Sequence, residues 1–166
     1  MTEKEAYLAF STFPSFGPQR LKLLREYFGS AKEAWEAPIK QLKELSTSTR
    51  GGDLWNKFDS HRKNLDLDLY LGTLGKLGIS YVTLEDEDFP KRLKAIDDCP
   101  FLLYLKTPQL RKERPCEATE VAVAVVGTRK PTSYGRDVTE RLVEGLVRAG
   151  VTIVSGLALG IDAIAH

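Results

Sequence analysis

Two short stretches concentrate the residues that could do chemistry. Residues 127–135 read GTRKPTSYG, in which Gly127 lets backbone approach a ligand, Thr128 offers a hydroxyl, and Arg129 and Lys130 offer cations. The helical pattern that starts just after them sets a helix N-terminus, itself favourable to anions, beside those cations. Residues 155–162 read SGLALGID: Ser155 offers a hydroxyl, Gly156 and Gly160 permit tight backbone, and a second helix start follows. Cations, hydroxyls and bare backbone amides are the ingredients of a phosphate-binding assembly. Glycines also serve plain strand-to-helix turning. It is the pair of loops, with Arg129 between them, that favours phosphate.

The ligand is narrowed by what the loops lack. A dinucleotide site calls for GxGxxG after the first strand and an acid at the end of the second, and neither is present. The Walker A spacing, Lys followed by Ser or Thr, is absent too. A backbone phosphate therefore fits the loops better than a cofactor. Asp162 and His166, four apart, could be imagined as an acid and base, yet no nucleophile or metal partner accompanies them; a capping aspartate and an ordinary helical histidine are the expectation. Tyr134 could stack on a base, but a tyrosine opening a helix is expected to pack on the sheet. His61 beside Arg62 and Lys63 reads as a solvated charged face. Cys99 and Cys116 lie far apart without zinc spacing and read as free thiols, so no metal is expected.

The elements that must hold the two loops follow from the hydrophobic pattern. Residues 121–126, VAVAVV, form an unbroken apolar run expected of a parallel strand covered on both faces, ending at Gly127. Residues 134–149 carry Val138, Leu142, Leu146 and Val147 at helical spacing and close at Gly150; a second strand, residues 151–155, follows. This is a βαβ unit, with a further helix starting at Ile161. Upstream, residues 3–77 are helical and punctuated by Pro14, Gly17, Pro18, Gly29 and Pro38. A helix starts at Pro18 and stops at Gly29, Ser30 caps the next, and one longer helix is expected from Asp53 through Leu54, Phe58, Leu65, Leu69 and Leu77, capped by Gly78. Trp35 and Trp55 are expected to fill the helical core. Composition then shifts: residues 79–84 and 101–106 read as strands around an acidic, proline-containing turn and a short helix.

These spans predict an all-α domain over residues 1–77 and an α/β domain with a parallel sheet over residues 78–166. One complete crossover cannot cover both faces of a sheet and the pattern stops at His166 after barely a helical turn, so a fragment of a longer protein is expected. The 24 Lys and Arg against 23 Asp and Glu leave a formal charge of +1, without the global basic footprint of many duplex-DNA binders. The charged start MTEKEAYLAF is no signal peptide, and no stretch approaches the roughly 20 apolar residues of a membrane span, which points to the cytoplasm and no membrane association.

VAVVGTRKPTSYG and GVTIVSGLALGIDAIAH, in content and separation, resemble the signature of the DNA-processing protein A family. DEDFPKRL and IDDCPFLLYL resemble that family's approach to its Rossmann-like domain, and FPSFGPQRLKLL is similar to its sterile-alpha-motif or helix-hairpin-helix-like module. The resemblance implies an N-terminal helical module followed by a truncated Rossmann-like domain. It implies a single-stranded-DNA-binding protein of natural transformation that protects incoming strands and helps load the RecA recombinase, works as a homodimer and has no catalytic activity. By position Gly127, Thr128 and Arg129 match the family's G-S/T-R motif, and Ser155, Gly156 and Gly160 its SGxAxGID motif, together lining a basic DNA pocket with Lys130 alongside. The family's further basic and aromatic residues are not in this chain. Ser15 stands where a DNA-binding hairpin wants its first glycine, which favours protein contact or a structural role for the helical module. Arg111, Lys112 and Arg114 read as a loop rather than a secondary DNA contact. Two other readings remain open. One is a nucleotide phosphoribohydrolase-type enzyme whose catalytic glutamate would lie beyond His166; the other is a pure interaction module.

Overall fold

A computed structural model describes residues 1–45, 51–106 and 121–166 of the chain. Contacts divide it into two compact units, Met1–Pro115 and Cys116–His166. Arg111, Lys112, Arg114 and Cys116 lie outside the described residues.

The first unit opens with α1 (Glu3–Ser11), whose start is fixed by a capping box: the Thr2 hydroxyl accepts from the Glu5 amide and the Glu5 carboxylate accepts from the Thr2 amide. Five consecutive residues, Ala6 to Phe10, are fully buried, so this short helix is enclosed on all sides and forms the axis of the unit. Around it run α2 (Pro18–Phe28), α3 (Ala31–Glu36), α4 (Ile39–Glu44), α5 (Gly51–Asn64) and α6 (Leu67–Lys76). The punctuation acts as its chemistry dictates: Pro18 occupies the first turn of α2, Gly29 closes it, and Ser30 caps α3 by accepting from the Glu33 amide. Leu21 and Leu24 point inward from α2 onto a cluster of aromatic rings. Phe10 lies flat against Phe58 at 5.6 Å between centroids and edge-on to Trp35 at 5.1 Å, while Phe16 meets Phe58 at 4.8 Å. Trp35 and Trp55 are both buried there.

The long helix expected from Asp53 to Leu77 is two helices. The chain leaves α5 at Asn64, and Asp66 starts α6 by accepting from the Leu69 amide at 2.9 Å. The apolar spacing runs on across the break, yet Leu69 and Leu77 are exposed and α6 packs on the core through Leu67, Tyr70, Leu71 and Leu74. His61 is not a solvated residue either: it packs on Phe13 at 5.2 Å and bonds the Thr12 hydroxyl at 2.7 Å. Arg62, its neighbour, donates to the carbonyls of Trp35 and Ala37 at 2.8 and 2.7 Å, closing the end of α3.

β1 (Ile79–Thr83) and β2 (Leu102–Lys106) pair antiparallel with Tyr81 opposite Tyr104, and α7 (Lys91–Lys94) lies between them in sequence. Phe101 and Leu102 enter the helical core, and the ion pairs Lys4–Asp86 (2.9 Å) and Arg25–Glu85 (2.7 Å) fasten the turn after β1 to α1 and α2. The composition shift at Gly78 and the division by contacts thus differ, because this strand pair buries its apolar side on the helices that precede it.

The second unit is β3 (Ala122–Ala124), α8 (Ser133–Arg148), β4 (Thr152–Val154) and α9 (Ile161–Ala165). β3 and β4 are parallel, with Val123 opposite Ile153, and the ladder continues through Val125 N–H to the Val154 carbonyl at 2.9 Å. Both strands are shorter than their apolar runs. Nor are they covered on both faces: among the described residues Val121, Val126 and Val154 are exposed, Val126 to 79%. The βαβ connection itself is as the sequence pattern requires.

Candidate functional site

The loops 127–135 and 155–160 leave the carboxyl ends of two adjacent parallel strands and so emerge at the same edge of the pair. Backbone joins them. The Ile161 amide donates to the Thr128 carbonyl at 3.1 Å. Gly160, at φ +92°, lies so close to the other loop that a Cβ there would stand 2.2 Å from the Thr128 carbonyl oxygen and 2.6 Å from the Arg129 Cα. At Gly127 an added Cβ would fall 2.6 Å from the Ile161 side chain. These glycines therefore let one loop lie on the other, which is more than turning requires.

Asp162 has a different place from the one its sequence position suggests. It does not cap α9, whose N-cap is Gly160 without a side-chain bond. Its carboxylate accepts from the Gly156 amide at 3.1 Å and the Gly127 amide at 3.4 Å, and the residue is only 6% exposed. One carboxylate thus spans the ends of both strands. The signal was available: an acid in the first turn of a helix entered through SGLALG can reach back to strand-end amides. His166 places its Nε2 3.4 Å from the Ser155 carbonyl, so the imagined acid–base pair is not assembled.

The remaining candidates divide between structure and surface. The Thr128 hydroxyl accepts from the Lys130 amide at 3.2 Å and shapes the turn, and Thr132 caps α8 by accepting from the Gly135 amide at 3.1 Å. The Ser155 hydroxyl oxygen is buried and has no hydrogen-bond partner among the described residues. Arg129 and Lys130 are exposed, and neither side chain is held by an ion pair among the described residues. Tyr134 does not pack on the sheet; it is 77% exposed on the first turn of α8. What the two loops present to solvent is the exposed pair Arg129 and Lys130, with the exposed Tyr134 following on the first turn of α8, while Asp162 binds the amides of Gly127 and Gly156.

In the first unit a cleft of about 270 Å³ is lined by Tyr7, Lys22, Arg25, Lys94 and Cys99 among others. Its central cation is engaged, Arg25 pairing with Glu85, which also accepts from the Tyr7 hydroxyl at 3.1 Å. Burial pushes the Cys99 thiol up from its ordinary value, and the thiol is free. Among the described residues there is no cluster able to hold a metal ion and no helix long and apolar enough to cross a membrane.

Comparison with known proteins adds to this geometry. Protein Smf of Synechocystis is 34% identical over 165 residues, covering 99% of this chain and 40% of that protein. DNA processing protein DprA of Bacillus subtilis is 38% identical over 91 residues, 54% of this chain and 28% of its own length. The chain thus spans less than half the length of these curated relatives. The solved structure of DNA processing protein A from Streptococcus pneumoniae is 24% identical, covers 100% of this chain and 53% of its own, and superposes with a TM-score of 0.56, a likeness of fold. Residues 80–166, more than half the chain and including both loops, match the family described as DNA recombination-mediator protein A, and the chain belongs to that family.

Proposed function

We propose that residues 127–135 and 155–160 bind the sugar–phosphate backbone of single-stranded DNA, with Arg129 and Lys130 as the phosphate contacts and Gly127, Thr128, Ser155, Gly156 and Gly160 shaping the surface. The observation that carries this reading is the contact of the two loops, Gly160 against Thr128 and Arg129, beneath two exposed cations that no acid neutralises among the described residues. Exposed cations on rigid backbone suit a repeating phosphate chain. The exposed Tyr134 ring, on the first turn of the helix that follows the loop, favours single strands, whose unstacked bases can lie on an aromatic face.

Family membership supports the wider role: DNA processing in natural transformation, with protection of incoming strands and help in loading the RecA recombinase, by a cytoplasmic homodimer that is not an enzyme. Within that role residues 1–77 serve as a sterile-alpha-motif or helix-hairpin-helix-like module and residues 78–166 as the first part of a Rossmann-like domain. Binding of a labelled oligo-dT to the full chain, followed by fluorescence anisotropy against salt, tests the site. Affinity falls as salt rises, and Arg129→Ala weakens binding while lowering the log–log salt slope by about 1. Binding indifferent to Arg129→Ala, in a variant with unchanged circular dichroism, contradicts the assignment. Release of a free base from nucleoside monophosphates would promote the enzyme reading instead.

A further inference from the structure

The Gly127 and Gly156 amides, at the ends of two adjacent parallel strands, are the donors that a small phosphate entering between the loops would use. Both are already directed at the Asp162 carboxylate, at 3.4 and 3.1 Å, and the residue is 6% exposed. Arg129 and Lys130, two and three residues after Gly127 on the first loop, are exposed. Resting on the DNA-backbone reading above, we propose that Asp162 fills the anion position between the loops, so that the site takes internal phosphodiesters along its rim and excludes free phosphate and the terminal phosphate of a mononucleotide.

An amide carries one proton, and a tethered carboxylate competes for it at high effective concentration. Displacing Asp162 would leave a buried, unpaired charge, which is costly. A terminal phosphate carries nearly two negative charges at neutral pH and meets Asp162 with correspondingly more repulsion than a singly charged phosphodiester. Affinity then accrues along the strand, from successive phosphates at the exposed cations, rather than from one deep contact. The site reads length and ignores ends.

The test uses the full chain labelled with nitrogen-15. Inorganic phosphate and thymidine monophosphate are titrated while the Gly127 and Gly156 amide resonances are followed, and oligo-dT with a 5′-hydroxyl is compared with the same oligonucleotide bearing a 5′-phosphate. Both glycines stay still under small phosphates, and the two oligonucleotides bind within about twofold, since one extra phosphate adds little to an additive backbone. In Asp162→Asn one carboxylate oxygen becomes an NH2 group facing an amide, which opens the position, and inorganic phosphate then moves a glycine resonance. Should that variant fail to fold, the native comparison decides alone. Movement of both glycines with phosphate in the native chain, or tighter binding by about tenfold with a 5′-phosphate, overturns the inference. An oligonucleotide that does not bind at all would sink the DNA reading, whereas glycines silent to phosphate would still support the closed position.

Discussion

Gly160 shows most clearly how a single residue holds the candidate site together. Its positive φ and the 2.2 Å approach to the Thr128 carbonyl leave no room for a side chain. Gly160→Ala should therefore destabilise the second unit by at least about 1–3 kcal/mol, the cost of a strained backbone, with the displacement of Thr128 and Arg129 added. Hydrogen exchange would show faster exchange at the Ile161 amide, whose bond to Thr128 is the first to go; unchanged exchange there would refute the contact. The residue types in both loops were legible from sequence, since glycine, cation and hydroxyl announce themselves. What sequence could not distinguish was which polar groups face inward. Asp162 reads as a cap and binds two strand-end amides, and Arg62 reads as a surface charge and bonds two carbonyls. Direction depends on packing, which local sequence does not encode.

At the level of elements, boundaries followed wherever a residue imposes a local constraint. Pro18, Gly29 and Ser30 start, stop and restart helices where their chemistry says. The break between α5 and α6 leaves no mark in the apolar spacing, since Leu54, Phe58, Leu65 and Leu69 continue across it, and only Asp66 signals the restart. Asp66→Ala should cost about 1 kcal/mol, the usual value of an N-cap, read as a lower urea midpoint with an unchanged m-value; Asp66→Asn should retain the stability. A loss of the same size in both would show that the cap contributes nothing. The strands are the converse case. The apolar runs 121–126 and 151–155 correctly announced parallel partners, yet only three residues of each pair. Apolar character measures a tendency to be covered, and the ladder forms only where a neighbour is present.

For the whole molecule, the aromatic core and its charged fasteners make the first unit sensitive to acid. Asp59 bonds Lys63 and Arg62, whose hydrogen bonds and positive charges outweigh burial and hold its carboxyl below the ordinary range. A carboxyl lowered in the folded state contributes stability that is complete above its unfolded value and is lost as pH falls through its folded value. The urea midpoint should hold at neutral pH and drop below about pH 4, with a shallower drop in Asp59→Asn. An identical pH profile in the variant would assign the acid sensitivity elsewhere. Composition placed the change of character at Gly78, and the family match begins at residue 80, but contacts divide the chain at residue 115 because β1 and β2 bury their apolar side on the helices. Amide shift mapping of the full chain with unlabelled oligo-dT shows whether the two loops of the second unit meet a DNA strand. Joint movement is expected at residues 128–134 and 157–160, with the amides of α1 to α6 unchanged; movement confined to the helical unit, or none in either loop, would contradict the proposed site.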